Sequence, residues 1–130
     1  MASVTSIKFI QNLTKYKISI YNGENNTTYA IDSKGILGRS IWIPWIGRQD
    51  EVYKALLIKT VEGIEYHCYI FQDYWEPPGV SPVKTCRDSE LLYLSNHPLI
   101  TGEALYGGDR FLVIYEEDGD IKLLLNKTFN

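Results

Sequence analysis

Apolar and polar positions alternate along much of this chain with the period of two that marks half-buried β-strands. The clearest run is residues 64–71. There Ile64, Tyr66, Cys68 and Ile70 alternate with Glu65, His67, Tyr69 and Phe71. Residues 4–10 place Ile7 and Phe9 on one face of a strand, and residues 17–21 turn Ile18 and Ile20 inward. Residues 22–27, Asn-Gly-Glu-Asn-Asn-Thr, tolerate positive φ and predict a hairpin into a strand carrying Tyr29 and Ile31. Residues 32–35 turn again. Near the C-terminus, an Asp-Gly turn separates apolar residues 111–115 from residues 121–125, which predicts a second hairpin. Shorter extended pieces are expected at residues 82–86, 98–102 and 104–106, with another apolar run at residues 89–94.

Residues 39–48 read Arg-Ser-Ile-Trp-Ile-Pro-Trp-Ile-Gly-Arg and hold two of the three tryptophans. In an extended chain Ile41, Ile43 and Trp45 face one way, and Trp42, Pro44 and Ile46 the other. Two apolar faces predict a core strand. Pro44 has no N–H for the ladder, so that strand is bent or bordered there. For the following residues two readings compete. Asp50 caps a short helix near residues 50–58, or residues 54–61 form a buried strand. The strand is preferred because residues 64–71 mirror it.

About ten short strands with regular turn signals predict an all-β fold: one antiparallel β-sandwich domain spanning residues 1–130, with a small β-barrel as the alternative. The chain is long enough to bury a core without staples. Its two cysteines, Cys68 and Cys86, read better as buried thiols than as a disulfide. A net charge of −3 and a pI near 5.3 argue against a general nucleic-acid binder. No apolar run approaches the roughly 20 residues that span a bilayer. The first residues lack a basic segment followed by an apolar one, so a cytoplasmic protein is expected, or one released without a leader.

Little of the usual chemistry of sites is visible. His67 and Cys68 are neighbours in a strand and point to opposite faces, so they form no thiolate–imidazole pair there. Cysteines and histidines show no zinc spacing. Glu116, Glu117, Asp118 and Asp120 suit an Asp-Gly turn and lack the spacing of a calcium loop. No metal and no cofactor is expected. Gly107-Gly108-Asp109-Arg110 reads as an anion-binding nest or a connecting turn, and the turn is preferred because no helix follows.

Aromatic residues change the picture most: they make up 13% of the chain, ten of them tyrosines. Trp75 lies in a Pro-rich loop, residues 72–79, beside Tyr74 and Glu76. A loop tryptophan either folds back as a plug or offers its flat face to a ligand, such as the apolar side of a sugar ring. The candidate ligand-binding residues are Trp75, Tyr74, Asp73, Glu76 and Arg87, with Trp42 as the member of the tryptophan stretch that faces a ligand or a partner subunit. The expected function is a non-enzymatic module, homo-oligomeric, that recognises glycans or membrane lipid headgroups and no nucleic acid. The acidic balance points to uncharged or zwitterionic lipids. The alternatives are an enzyme with an acidic site assembled from Asp73, Glu76 and Asp109, or a structural scaffold. In overall character the chain is loosely similar to small cytosolic β-sandwich lectins and lipid-binding cytolysins. That likeness rests on no motif and assigns no residue.

Overall fold

A computed structural model of the chain describes residues 4–75 and 80–127. In chain order the strands are β1 (Thr5–Asn12), β2 (Ile18–Asn22), β3 (Thr27–Ile31), β4 (Ile36–Leu37), β5 (Ile41–Trp42), β6 (Trp45–Ile46), β7 (Leu56–Thr60), β8 (His67–Asp73), β9 (Val83–Cys86), β10 (Thr101–Gly102), β11 (Gly108–Glu117) and β12 (Asp120–Asn126). They form two sheets of six strands each, as expected for a β-sandwich. The first sheet runs β10-β12-β11-β1, with β4 and β5 end to end along the outer side of β1. The second runs from β3 through β2 and β7 to β8. There β6 continues the line of β7, and β9 pairs on the far side of β8. Among the described residues the sheets do not close into a barrel.

Both predicted hairpins form. Asn26 takes φ 56° in the β2–β3 turn, and Asp118 and Gly119 take 53° and 76° between β11 and β12. The sheets are mixed rather than purely antiparallel. β1 runs parallel to β11, β6 to β8 and β10 to β12. Alternation fixes which face a side chain takes. It says nothing about direction for strands that no tight turn connects.

The main core lies between the sheets, around Ile7, Ile10, Ile20, Ile58, Ile70, Leu112 and Ile114, none of which is exposed. A register shift between Ile7 and Phe9 corrects the simple alternation of β1. The extra residue flips the parity, so Ile10 rather than Phe9 joins Ile7 inside. Phe9 packs on Phe111 with ring centres 4.5 Å apart.

A second cluster lies on the outer face of the second sheet: Ile46, Ala55, Phe71, Cys86 and Leu91. Two segments cover it. One is a 3-10 helix, Gln49–Lys54, close to the short helix near residues 50–58 that was the competing reading. Asp50 does not cap it, because its first turn has no side-chain cap; Glu51 instead accepts the Gly47 N–H at 2.9 Å. The strand predicted over residues 54–61 follows directly as β7. The other cover is residues 87–99. Leu91 anchors it, so the apolar run at residues 89–94 is a lid over the sheet and not a strand. β8 therefore buries both faces, with Cys68 and Ile70 in the main core and Phe71 in the second cluster.

Cys68 and Cys86 are both buried and free. They belong to opposite faces of one sheet, which keeps them unbridged. Residues 104–106 likewise form no strand. They are held by Arg110, itself buried, whose guanidinium donates to the carbonyls of Glu103, Leu105 and Asp109 at 2.9–3.1 Å. Of residues 107–110 only Gly107 precedes β11; Gly108, Asp109 and Arg110 open that strand and pair with β1, which corrects the expected connecting turn. Among the described residues no helix is long and apolar enough to cross a membrane.

The tryptophan stretch departs furthest from expectation. It is not one core strand. Ile41 and Trp42 pair with β1 in the first sheet, whereas Trp45 and Ile46 pair with β8 in the second. The chain crosses between sheets at Ile43 and Pro44, both buried. A residue with no N–H suits that crossing, where the ladder is interrupted.

Candidate functional site

The crossing brings Trp45 beside the loop that carries Trp75. β8 ends in two buried polar residues, Gln72 and Asp73. Gln72 ties the sheets together: its Oε1 accepts the Thr5 N–H at 2.8 Å, and its Nε2 donates to the Ser81 carbonyl at 3.0 Å. The side chain of Asp73 is 6% exposed. Its Oδ2 pairs with Lys84 Nζ at 2.8 Å. Its Oδ1 accepts the Tyr93 hydroxyl at 2.7 Å and the Trp75 N–H at 3.1 Å. The last bond is an Asx-turn, which fixes how the chain leaves the strand.

Beyond that post the rings step outward. Trp45 meets Tyr74 edge to face at 5.6 Å, and Tyr74 meets Trp75 at 4.7 Å. Such geometry aligns the positive edge of one ring with the negative face of the next. Tyr74 and Trp75 are 46% and 56% exposed, so neither is a plug. The Trp75 indole lies across Gly47. A Cβ at residue 47 would stand 2.8 Å from its Nε1, so only glycine leaves room for the ring there. Gly47 is held in turn by the Glu51 carboxylate. The Gly47 N–H is the main reason that carboxyl titrates below its usual range, with Lys54 at 3.4 Å adding to it.

The same aspartate borders a pocket of about 350 Å³, lined also by Lys84, Tyr93, Leu94, Asn96 and His97. His97 Nε2 lies 2.7 Å from the Leu92 carbonyl, and its ring stands on edge to Phe71 at 5.5 Å. With three donors on its oxygens, Asp73 works as an anchor and not as a poised base. His67 sits on the outer face and bonds the Asp88 carbonyl at 2.9 Å. Cys68 is inside, its thiol pushed up to about 11 by burial, so the two do not form a catalytic pair.

The structure therefore gathers Asp73, Tyr74 and Trp75 and separates the other candidates. Glu76 lies outside the described residues. Arg87 sits at the opposite end of the β8–β9 pair, bonded to Asp120 at 2.8 Å and stacked 4.3 Å from the Tyr66 ring centre. Asp109, on the first sheet, pairs with Lys8 at 3.6 Å, so the acidic trio is not assembled from Asp73 and Asp109. Trp42, also on the first sheet, is 64% exposed and lines a separate cleft with Tyr29. Sequence reasoning missed Trp45, Gly47, Lys84 and Tyr93. A glycine two residues after a tryptophan was the one local hint of a close approach. Lys84 and Tyr93 come from distant segments and left none. Among the described residues no group of three or more His, Cys, Asp or Glu side chains could hold a metal ion. Set against family models, curated proteins and solved structures, the chain matches none.

Proposed function

We propose that this protein is a non-enzymatic recognition module that binds glycans on the face formed by Trp45, Tyr74 and Trp75. One observation carries the reading: the exposed rings of Tyr74 and Trp75 meet edge to face, with the Trp75 N–H bonded to Asp73 and its indole laid across Gly47. Exposed aromatics lose affinity if they must be ordered on binding, and a pre-set platform avoids that loss. The apolar side of a pyranose stacks on the Trp75 indole. Its hydroxyls reach toward the pocket beyond Asp73, where Lys84 and Asn96 offer donors.

A lipid headgroup is the second reading, favoured by Leu94. This side chain is 91% exposed, next to the Tyr93 that shares Asp73 with Trp75. An exposed leucine beside tryptophan and tyrosine suits insertion at headgroup level.

The test is a glycan array run beside flotation with zwitterionic and sterol-containing liposomes, using the wild type and Trp75→Ala. The expected result is binding to a defined set of glycans that Trp75→Ala abolishes while the melting temperature holds. Binding to liposomes alone, lost with Leu94→Ser, would move the assignment to lipid. Binding to neither sinks the recognition reading.

A further inference from the structure

The edge strands β5 and β3, from different sheets, stand next to each other and leave a cleft of about 220 Å³ between them. It lies apart from the Trp75 face, which belongs to β6 and β8 at the other side of the second sheet. Trp42 and Tyr29 give it two aromatic walls, and Asn22, Glu24, Asn25 and Ser40 line it together with Ile41. We infer that this cleft is a second ligand site, shaped for a single neutral sugar ring.

Three observations support the assignment. The first is Trp42 itself. Trp42 is 64% exposed on the face of β5 opposite the buried Ile41, which leaves a large apolar ring open to solvent at the cleft. The second is Asn22, which is 5% exposed. Its Oδ1 accepts the Glu24 N–H at 3.0 Å and so fixes the side chain. Its Nδ2 donates to no group among the described residues, although Asn22 lines the cleft. Ser6 Oγ is the buried side-chain polar atom without a partner among the described residues, so Asn22 Nδ2 is open to water at the cleft and free to donate to a ligand there. The third is the chemistry of the wall. Two amides, one carboxylate and one hydroxyl supply both donors and acceptors, as vicinal sugar hydroxyls require, and the indole takes the ring's apolar side.

Size and charge narrow the class. The volume is below the roughly 300 Å³ at which pockets for drug-sized ligands begin, which suits one ring and not an oligosaccharide buried along its length. Glu24 opposes an anion. Arg39, 6.0 Å from the Tyr29 ring centre, opposes a cation and leaves the Trp42 face as the stacking surface.

The inference does not rest on the Trp75 face, and the experiment separates the two. The labelled full-length chain is titrated with the methyl glycosides of glucose, galactose, mannose and N-acetylglucosamine. The Trp42 indole and Asn22 side-chain amide signals are followed by NMR. At least one glycoside is expected to shift both signals along one saturable curve. Trp42→Ala, a change at an exposed position, should weaken that binding at least about tenfold, read from the Asn22 amide. Asn22→Asp keeps the acceptor for Glu24 and removes the free donor, and should weaken it similarly. Trp75→Ala should leave it unchanged. The inference is overturned if no glycoside shifts both signals, if Trp42→Ala binds like the wild type, or if Trp75→Ala removes the response.

Discussion

Asp73 and Arg87 stand at opposite ends of the same strand pair, and each makes an ion pair at 2.8 Å. Equal distance hides unequal physics. The Asp73 and Lys84 side chains are 6% and 16% exposed, whereas Arg87 and Asp120 are 48% and 40% exposed. At the buried end water cannot replace a lost partner, and the charge left behind is costly. At the exposed end water and salt take over at once. The buried pair also does positional work, because the same carboxylate holds the Trp75 backbone and the Tyr93 hydroxyl. The exposed pair closes β12 onto the edge of the other sheet and organises no surface beyond itself. Burial, not distance, thus tells the anchor from the ornament.

Breaking the anchor should give the largest effect. Lys84→Met leaves the Asp73 carboxylate buried without its cation and is expected to cost about 3 kcal/mol by urea denaturation. That is the low end for a broken buried pair, because the Asp73 oxygens keep their two neutral donors. Asp73→Asn combined with Lys84→Met removes both charges and should recover more than half of the loss. A loss for Lys84→Met as small as at the Arg87 end would dissolve the contrast. Tyr93→Phe comes next. It removes a hydroxyl that donates to a charged acceptor, worth about 1.5–3 kcal/mol, and frees the lid residues around Leu94. Its sharper readout is Trp75 fluorescence, which should redden as the loop loses its shared post.

The sandwich was legible because period-two alternation and the two Asn/Asp-Gly hairpin signals are local. What stayed hidden was set by partners distant in sequence. β1 and β11 run parallel and lie some hundred residues apart, and nothing in either strand encodes that direction. Residues 39–48 carry apolar side chains on both faces because the segment serves two sheets in turn, and alternation alone reads this as one strand through a core. Trp75 was legible as a loop aromatic. Its platform was not, since Trp45 arrives by the sheet crossing and Tyr93 by a lid that resembles a strand in sequence. Arg87, grouped with Trp75 as a hydrogen-bonding side chain within reach along the chain, lies at the opposite end of the β8–β9 pair.

The smallest effect, and the one that sharpens the contrast most, belongs to Arg87→Ala. Arg87 donates to Asp120 and holds its carboxyl below the usual aspartate range, with the Ile121 N–H and Lys122 assisting. A depressed folded pKa contributes stability that is fully present above the unfolded value of about 4 and is lost as pH falls through the folded one. The wild type should therefore exceed Arg87→Ala by less than about 1 kcal/mol at neutral pH and low salt, given how exposed both groups are. Below about pH 4 that difference should shrink toward the part due to the guanidinium stacked on Tyr66, which does not titrate with Asp120. Added salt at neutral pH should shrink it in the same direction. Urea denaturation of both proteins across pH and ionic strength measures each arm. A difference that grows on acidification, or that reaches the size expected for Lys84→Met, would mean that the two ends of the strand pair do not differ in the way their burial says.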